Sequence, residues 1–576
     1  MSSPRTTAKR LGVVLAGLAL IGTSCIFGDD GGDDGSVRVR PEAIESGMPD
    51  DPEPTRGGKL VYALEAESNS FCLSEATLAI SGMQVLRAFY DPLVVPDAKG
   101  GYAPYLAKSV EPNDARTVWT IALRKGVTFN DDARTPLTAA IVRDNLEAYR
   151  TSTFFGVVFT PIEKIEVVNE LTVKITLDRP WVTFPSALYG GGRIGIMSPG
   201  QLAGRGKHTS SASTGDLDDC ATQPVGTGPF EFVSWKRGES IQGIRNESYW
   251  QTAPDGKPYP YLEAVEFRPM PNSDARIVAL QQGEVNMLHT STAADMDGSL
   301  AQLRDAGRIN LLISEESTET TYLILNIDNM LSSKPANPIL DRTEVRRAIA
   351  AAIDREALND AQNDGFAALA NGPFTPGTLG YLEDSGAPDY DPAAAKKVVA
   401  KLKAEGASVH LRYLTSGGPA SVAVADDVRQ MLEAVGFDIE MQIVDEVDVI
   451  NKVITGDYDI SSFRNQPSFD PDSNSHWWTS GTVLNFGGFS DDVIDRSLAL
   501  GRGETDVDAR RQAYELVTKQ FGEQQYNIYL WYTPWAVAES SDVHGILGPP
   551  LPDNGGAAPK NIVTGHPLIG IWIDRD

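Results

Sequence analysis

Apolar residues recur at every second position in several short stretches, which predicts strands. Trp119, Ile121 and Leu123 fall on one face of such a strand, because successive side chains of a strand point to opposite sides. A first strand is predicted over 57–64, where order is expected to begin, and another over 437–443. These stretches supply the strands of the predicted fold.

Apolar residues at four-residue spacing predict helices between these strands. Thr138 is placed to cap one helix, and Asp391 followed by Pro392 is placed to begin another, because both arrangements suit a first helical turn. Gly406 and Gly436 mark helix ends. The predicted helices cover 139–149, 343–354, 391–406 and 425–435. Helices followed by strands, repeated along the chain, predict an α/β fold.

Residues 1–24 have the pattern of an export signal. A basic start leads into an apolar run over 11–23, which is shorter than the ~20 residues of a membrane span. Cys25 follows a set of small residues, and the segment resembles a bacterial lipoprotein signal, in which the cysteine thiol takes a lipid. Gly22 stands three residues before Cys25, where such signals usually have Leu.

Residues 25–57 are predicted to form a flexible acidic tether. They are rich in Gly, Asp, Pro and Glu and have no hydrophobic period, so they bury too little apolar surface to offset the cost of ordering. With a lipid on Cys25, the protein would be held at the outer face of the bacterial cell membrane. The alternative is ordinary cleavage that leaves Cys25 unmodified.

Length and charge narrow the possible functions. The chain has 576 residues, which predicts two or three domains with substantial cores. Its formal net charge is −28, and removal of residues 1–24 makes it more negative. This charge argues against nucleic-acid binding, which depends on neutralising phosphates. It does not restrict the charge of a small ligand.

The chain contains three cysteines. Cys25 is the predicted lipid anchor, and Cys72 and Cys220 remain. Export to an oxidising compartment favours a disulfide between these two. Two separate buried thiols are the alternative.

The sequence carries no strong enzyme signature. It has no G-x-S-x-G elbow, which the common esterase geometry requires, and its six histidines show no metal-ligand spacing. In so acidic a chain, neighbouring carboxylates are typical of a solvated face. We therefore predict no catalytic residue, no metal and no cofactor. Whether two of these carboxylates form a catalytic pair depends on their positions in space, so the sequence leaves that alternative open.

Several short segments occur in a fixed order along the chain. They are 119–129 (WTIALRKGVTF), 135–139 (TPLTA), 224–230 (PVGTGPF), 245–250 (RNESYW), 282–286 (QGEVN), 344–349 (EVRRAI) and 354–356 (DRE). Together they resemble the family 5 extracellular solute-binding proteins of ABC importers, which include the dipeptide- and oligopeptide-binding proteins. The resemblance covers residues 58–540.

We interpret these segments as fold markers and not as ligand contacts. Gly226 and Gly228 would permit backbone angles that a side chain forbids, so that the chain turns tightly into a strand over 230–233. Tyr249 and Trp250 would anchor the loop that follows by burying large aromatic surfaces.

The resemblance implies a fold of two α/β lobes of the class II periplasmic-binding-protein type, with an additional α+β subdomain. Ligand is enclosed when the lobes close about a hinge. The implied divisions are 58–85, 218–305 and 531–576 for domain I, 86–217 for the inserted subdomain II, and 306–530 for the closing lobe, domain III.

The implied function is capture of an extracellular solute, peptide-like or another small organic molecule, and its delivery to a membrane permease driven by a cytoplasmic ATPase. The protein would act as a monomer and would not change the ligand covalently. Two other classes stay open: an exported hydrolase, and a surface receptor for signalling without transport.

In peptide-binding relatives, an Asp in a loop of the closing lobe pairs with the peptide amine. The strand that precedes this loop matches residues 456–460 here. The amine-binding position then falls at Pro467, which cannot hold a charge, so ordinary peptide capture is in doubt. Asp470 or Asp472 could bind the amine instead.

Other candidates for ligand contact surround this loop. Arg464 offers a fork for a carboxylate or phosphate, and a salt bridge to one of many acids is an equal alternative. An aromatic floor would suit an apolar or sugar-like ligand. The ligand-binding candidates are Ser70, Phe71, Phe463, Arg464, Asn465, Asp470, Trp477 and Trp478, with Phe469, Trp531 and Trp535 as further aromatics.

Overall fold

A computed structural model describes residues 53–76, 78–152, 155–207, 217–314, 319–465, 470–557 and 568–574, with the backbone alone at 446–447. The predicted signal peptide, Cys25, most of the tether, Pro467 and Phe469 lie outside the described residues. None of the described helices has the length and apolar character needed to cross a membrane.

Strands are found throughout the described chain. They are β1 Lys59–Leu64, β2 Val94–Pro96, β3 Tyr102–Pro104, β4 Ala107–Pro112, β5 Val118–Leu123, β6 Ile162–Asn169, β7 Thr172–Leu177, β8 Phe230–Lys236, β9 Ser240–Arg245, β10 Ala264–Pro269, β11 Met287–Thr290, β12 Ile309–Ile313, β13 Glu319–Leu325, β14 Ala368–Leu369, β15 His410–Ser416, β16 Asp438–Val444, β17 Ile460–Asn465, β18 Asn527–Thr533, β19 Ala536–Ser540, β20 Val543–His544 and β21 Trp572–Ile573.

Helices alternate with these strands. They are α1 Ile80–Phe89, α2 Ala139–Arg150, α3 Phe184–Tyr189, α4 Pro199–Leu202, α5 Asp219–Thr222, α6 Ser273–Gln281, α7 Ala293–Asp297, α8 Ser299–Asp305, α9 Thr343–Ala352, α10 Arg355–Asn363, α11 Pro392–Ala404, α12 Pro419–Val435, α13 Glu446–Ile454, α14 Asp492–Gly503 and α15 Val507–Gln524. Short 3₁₀ turns cover Gly190–Gly192, Pro471–Trp477, Pro552–Asn554 and Leu568–Gly570.

The first large sheet has seven strands in the order β12-β19-β11-β1-β10-β9-β8. Its central strand β1 runs parallel to β10 and β11, with Tyr62 opposite Phe267 and Met287. The sheet includes β12, which the sequence placed in the closing lobe because we expected that lobe to begin at 306. The pairing of β12 with β19 moves the change of lobe to the chain after Ile313.

The second large sheet has six strands in the order β14-β18-β13-β17-β15-β16. Strand β13 lies at its centre, antiparallel to β17 and β18. Because β18 ends at Thr533, the predicted boundary at 530 falls three residues too early. Helices α9 to α15 surround this sheet, and the mixed α/β character that the sequence predicted is confirmed.

An antiparallel four-stranded sheet, in the order β4-β5-β7-β6, lies within the stretch 86–217 and packs against α2. One buried core joins it to the first large sheet, since Leu60 and Val265 belong to the same cluster as Ile121 and Ile175. We call residues 53–313 and 536–574 the first lobe and residues 319–533 the second lobe. Among the described residues, the chain leaves the first lobe after β12 and enters the second at β13, and it returns between β18 and β19.

Most of the predicted elements are found. Thr138 caps α2 by accepting from the Ile141 backbone N–H at 3.4 Å, and Asp391 caps α11 by accepting from Ala394 at 2.8 Å. Helix α12 begins at Pro419, six residues before the predicted start. Gly418 precedes it without a capping side chain, so the usual N-cap signal is missing there.

Glycine is required at 226 and 228 for a different reason from the backbone angles that the sequence suggested. Neither Gly226 nor Gly228 has a left-handed backbone. A Cβ on Gly226 would lie 2.3 Å from the backbone oxygen of Phe89, and one on Gly228 would lie 2.4 Å from its carbonyl carbon. These glycines therefore allow the loop to approach the end of α1 closely.

Tyr249 and Trp250 anchor the loop after β9 through a buried carboxylate. The Tyr249 hydroxyl and the Trp250 indole N–H both donate to Asp91, at 3.0 Å each, and Thr227 donates to it at 2.9 Å. The segments 224–230 and 245–250 thus meet at one buried acid, in keeping with their interpretation as fold markers. Elsewhere in the first lobe, Cys72 and Cys220 form a disulfide.

Candidate functional site

A small cavity lies against the central strands of the second sheet, where β13 begins and β17 ends. Its volume is about 10 Å³, which is room for about one water molecule. This is less than the roughly 300–1,000 Å³ typical of a ligand pocket, so the second lobe supplies only part of a binding site. The lining residues are Thr320, Tyr322, Pro373, Asn465, Asn474, Trp478 and Tyr529.

The pairing of strands brings these side chains to one face of the sheet. Thr320 and Tyr322 lie two residues apart on β13, opposite Asn465 and Phe463 of β17, and Tyr529 of β18 pairs with Tyr322. Because side chains alternate along a strand, all five project to the same side. The predicted candidates Phe463 and Asn465 are therefore next to the cavity or line it.

Two lining hydroxyls are buried without a partner. Neither Thr320 Oγ1 nor Tyr529 Oη has a hydrogen-bond partner among the described residues. Burial raises the pKa of Tyr529 well above its ordinary value and the nearby Asn527 side chain opposes the shift, so the hydroxyl stays protonated. Asn527 does not reach hydrogen-bond geometry with it. A buried polar atom without a partner is costly, so a water molecule or a polar group of a ligand would be favourable beside each of them.

The aromatic candidates form a layer beside the cavity. The Phe463 ring lies 5.9 Å from the Tyr322 ring and 6.4 Å from that of Trp477. Trp478 is buried against Phe374, at 5.4 Å between ring centres, and it lines the cavity. Most of these rings are core residues, and an aromatic floor for a ligand stays a prediction.

Arg464 projects from the opposite face of the sheet, away from the cavity. Its Nη1 donates to Ser291 Oγ of the first lobe at 2.9 Å. Its guanidinium lies 4.0 Å from a carboxylate oxygen of Glu65, also of the first lobe, and 3.7 Å from one of Glu319. Of the two alternatives for Arg464, the geometry matches the salt bridge between lobes.

The pKa values of the two carboxylates near Arg464 shift in opposite directions. Burial would raise the pKa of Glu65, but the charges of Arg464, His289 and Arg276 hold it below its ordinary value. Burial dominates at Glu319 and raises its pKa, although Arg464 opposes the shift. The guanidinium of Arg464 therefore faces two carboxylates, Glu319 of its own lobe and Glu65 of the first lobe.

Asp470 and Asp472 have partners of their own. Both carboxylate oxygens of Asp470 accept from Arg510 Nη2, at 2.7 and 2.8 Å. Asp472 accepts from Trp181 and Thr183 of the first lobe and from Arg502 of the second. The prediction that Asp470 contacts ligand is corrected here, since a buried ion pair occupies both of its oxygens.

Two candidates of the first lobe lie near the disulfide. Ser70 is half-buried, and its hydroxyl accepts from the Cys72 backbone N–H at 3.0 Å. Phe71 is buried in the core, with its ring 5.1 Å from that of Trp235 and 6.1 Å from that of Phe89. Phe71 was expected to face the cleft, and this expectation is wrong because its side chain fills the core of the first lobe.

The sequence did not single out Arg193, which the structure places between the lobes. Its Nε donates to the Leu78 backbone oxygen at 3.0 Å, and its charge acts on both Glu319 and His476 of the second lobe. Burial lowers its pKa. An arginine after three glycines carries little sequence signal, and neither do Thr320 and Tyr529 within apolar strands.

One group of side chains has metal-ligand character among the described residues. Cys72, Asp218 and Cys220 offer atoms within 4.8 Å of one another. Both sulfurs are joined in the disulfide, so they are not thiolate ligands.

Comparison with known families gives this arrangement a context. The family described as bacterial extracellular solute-binding proteins, family 5 Middle, matches residues 101–486, which is more than half of the chain. The chain belongs to this family. The family 5 proteins similar to it are extracytoplasmic substrate-binding proteins, and they bind peptides or other solutes for import by ABC transporters.

Two relatives illustrate the range of this family 5 group. The probable D,D-dipeptide-binding periplasmic protein DdpA of Escherichia coli K12 is 25% identical over 452 residues, which is 77% of this chain and 82% of that protein. The glutathione-binding protein GsiB of Pectobacterium atrosepticum is 26% identical over 366 residues, which is 63% of this chain and 64% of that protein.

Solved structures confirm the two-lobe periplasmic-binding-protein fold. The binding protein AgaA of A. tumefaciens R10, in complex with agropinic acid, has a TM-score of 0.75 and 23% identity over 90% of this chain and 99% of its own. DppA of Helicobacter pylori, in complex with the peptide STSA, has a TM-score of 0.75 and 22% identity with the same shares.

Proposed function

We propose that this family 5 protein binds a small peptide-like or amino-acid-derived solute between its lobes, with a polar group of the solute against Thr320 and Tyr529. The observation that carries this proposal is the pair of buried hydroxyls without a hydrogen-bond partner among the described residues, in a cavity lined by residues of the second lobe. Stable proteins rarely leave such groups unpaired unless a ligand or water completes them.

Arg193 supports a solute that carries a carboxylate. It is a half-buried cation of the first lobe that acts on residues of the second, and an arginine fork suits a carboxylate. The names of the relatives mention a dipeptide and glutathione, and one similar structure holds agropinic acid. A solute with a carboxylate and an uncharged polar end fits both features.

The structure disfavours capture of a peptide amine by Asp470 or Asp472. Asp470 is paired with Arg510, and Asp472 already accepts three hydrogen bonds. A peptide ligand would therefore place its amine elsewhere.

We further propose how the protein is attached to the membrane and which partners it works with. Lipidation of Cys25 would hold the mature protein, as a monomer, at the outer face of the membrane near a permease with a cytoplasmic ATPase. A single acyl chain gives only reversible anchoring, and stable attachment takes two or more. Mass spectrometry of the mature N-terminus distinguishes a lipidated Cys25 from ordinary cleavage.

The test of ligand binding begins with native mass spectrometry of the purified full-length mature protein. A released solute is identified, added back, and recovered unchanged, as a binding protein requires and a hydrolase does not. Thr320→Val and Tyr529→Phe should each weaken its binding by about 10-fold. Ser186→Ala is the control and should leave binding unchanged, because it removes a buried first-lobe hydroxyl that has no partner among the described residues. Equal affinity in all four proteins would refute the proposed site.

A further inference from the structure

The carboxylate of Asp472 links the two lobes. Its Oδ2 accepts from the Trp181 indole N–H at 2.5 Å and from the Thr183 hydroxyl at 2.7 Å. Its Oδ1 accepts from Arg502 Nε at 2.8 Å. The Asp472 side chain is completely buried, so these are charge-assisted hydrogen bonds shielded from water.

The donors come from both sides of the lobe boundary. Trp181 and Thr183 follow β7 in the first lobe, where Trp181 packs 5.4 Å from Phe184 within the core. Arg502 is in α14 of the second lobe, and its guanidinium lies 4.6 Å above the Trp181 ring. The Val182 backbone N–H also donates to the Arg502 carbonyl oxygen at 2.9 Å.

The course of the chain determines what happens to this contact when the lobes separate. Within the part of the chain that the structure describes, it leaves the first lobe after β12, enters the second at β13 and returns between β18 and β19. A rotation that separates the lobes pulls Trp181 and Thr183 away from Asp472, because they lie in different lobes. Asp472 and Arg502 both lie in the second lobe and can stay paired.

We propose that Trp181, Thr183, Asp472 and Arg502 form a clasp that exists only in the closed state and sets how long the lobes stay closed. The clasp is reversible because opening leaves no charge unpaired: Asp472 keeps Arg502, and water replaces the two donors of the first lobe. A contact made only in one of two states shifts their equilibrium by its full differential strength.

This clasp also gives Asp472 a role other than ligand contact. The inference rests on the solute-binding function, because only a protein that opens and closes needs it. It does not depend on which solute is bound.

The chain offers a matched pair of variants. Trp181→Phe removes the N–H that reaches Asp472 and keeps a ring against Phe184. Trp119→Phe is the control, because Trp119 packs on the same Phe184 at 5.5 Å, and its indole N–H is buried without a partner among the described residues. Both substitutions remove one indole N–H from the same core, and only one of them acts across the lobes.

The measurement is the distance between spin labels on the two lobes. Lys164→Cys on β6 and Asp508→Cys on α15 give two exposed sites, with side chains 65% and 76% accessible. Double electron–electron resonance on the full mature chain then reports the closed and open distances. The protein is measured both as purified and after its solute is removed by unfolding and refolding, so no identified ligand is needed.

We expect a short, closed distance in the parent protein and in Trp119→Phe. In Trp181→Phe the ratio of open to closed should rise about 10-fold, the effect of one hydrogen bond to a buried charge. Thr183→Val should raise the ratio of open to closed protein by less. This variant replaces Trp181→Phe in the test if Trp181→Phe fails to fold. Identical distributions in the Trp181 and Trp119 variants, or a parent protein with no closed distance in either preparation, would overturn the clasp. Because no added solute is involved, this failure is distinct from failure of the binding site.

Discussion

Arg464 of the second lobe donates to Ser291 of the first lobe at 2.9 Å and faces Glu65 across the same boundary. The guanidinium also lies 5.8 Å from the centre of the Trp535 ring, beside one of the two chain passages between the lobes. This contact is therefore close to the hinge, where a rotation moves atoms least.

Substitution of Arg464 by Met should weaken the closed state modestly. The arginine side chain is about one third exposed, and ion pairs with such exposure contribute at most about 1 kcal/mol. We expect a small rise in radius of gyration by X-ray scattering and a melting temperature lower by a few degrees at most. Arg496→Met, at an exposed position of α14, is the control. A fall as large as that of a core substitution would show that Arg464 has a further structural role.

How far the sequence predicts the site depends on whether a signal is local. Alternating apolar residues gave the strands, and capping residues such as Thr138 and Asp391 gave the helix starts, because both patterns act within a few positions. Arg464 was recognised as important, but its two possible roles could be separated only by the residues opposite it in space. The prediction that Phe71 faces the cleft was wrong for the same reason, since burial of a side chain depends on the packing of strands that are distant in sequence.

The contact between Trp181 and Asp472 could not be predicted at all. These residues are 291 positions apart, and neither has a neighbour in sequence that indicates the other. The fold was more accessible, because the family segments mark close backbone approaches such as that of Gly228 to Phe89. Sequence thus indicates the family and its fold, whereas the interface between lobes requires the structure.

Asp91 should make the stability of the protein depend on pH. Burial raises its pKa from 3.8 to about 6, even though Trp250, Thr227 and Tyr249 donate to it. A raised pKa means that the favourable contribution is complete below pH 3.8 and is lost as pH rises through 6. The loss is on the order of 3 kcal/mol. Asp91→Asn should therefore gain stability relative to the parent as pH rises from 4 to 7, measured by urea unfolding. Parallel pH profiles of the two proteins would contradict this assignment.

His289 should affect stability with the opposite sign to Asp91, over nearly the same pH range. Burial lowers its pKa from 6.5 to about 4, and its Nε2 accepts from the Glu65 backbone N–H at 3.0 Å. The neutral ring therefore contributes stability above pH 6.5 that is lost as pH falls toward 4. His289→Gln keeps an acceptor and should gain stability relative to the parent as pH falls from 6.5 to 4. His410→Gln, at an exposed site whose pKa is raised by Asp438, should leave that fall in place. If both variants keep the parent slope between pH 6.5 and 4, His289 is not its source.

The disulfide between Cys72 and Cys220 should be a major contributor to stability of the first lobe. It joins the loop after β1 to α5 across 148 residues that include the four-stranded sheet, so it restricts a long stretch of the unfolded chain. Disulfides of this kind contribute about 2–5 kcal/mol. The double variant Cys72→Ala and Cys220→Ala should lower the free energy of unfolding by that amount without changing the spacing of the lobes, because both cysteines lie in the first lobe. Thiol titration of the denatured, unreduced protein checks the pairing first, and two free thiols at these positions would refute it. The parent protein should lose the same stability when reductant is added, whereas the double variant should not respond to reductant.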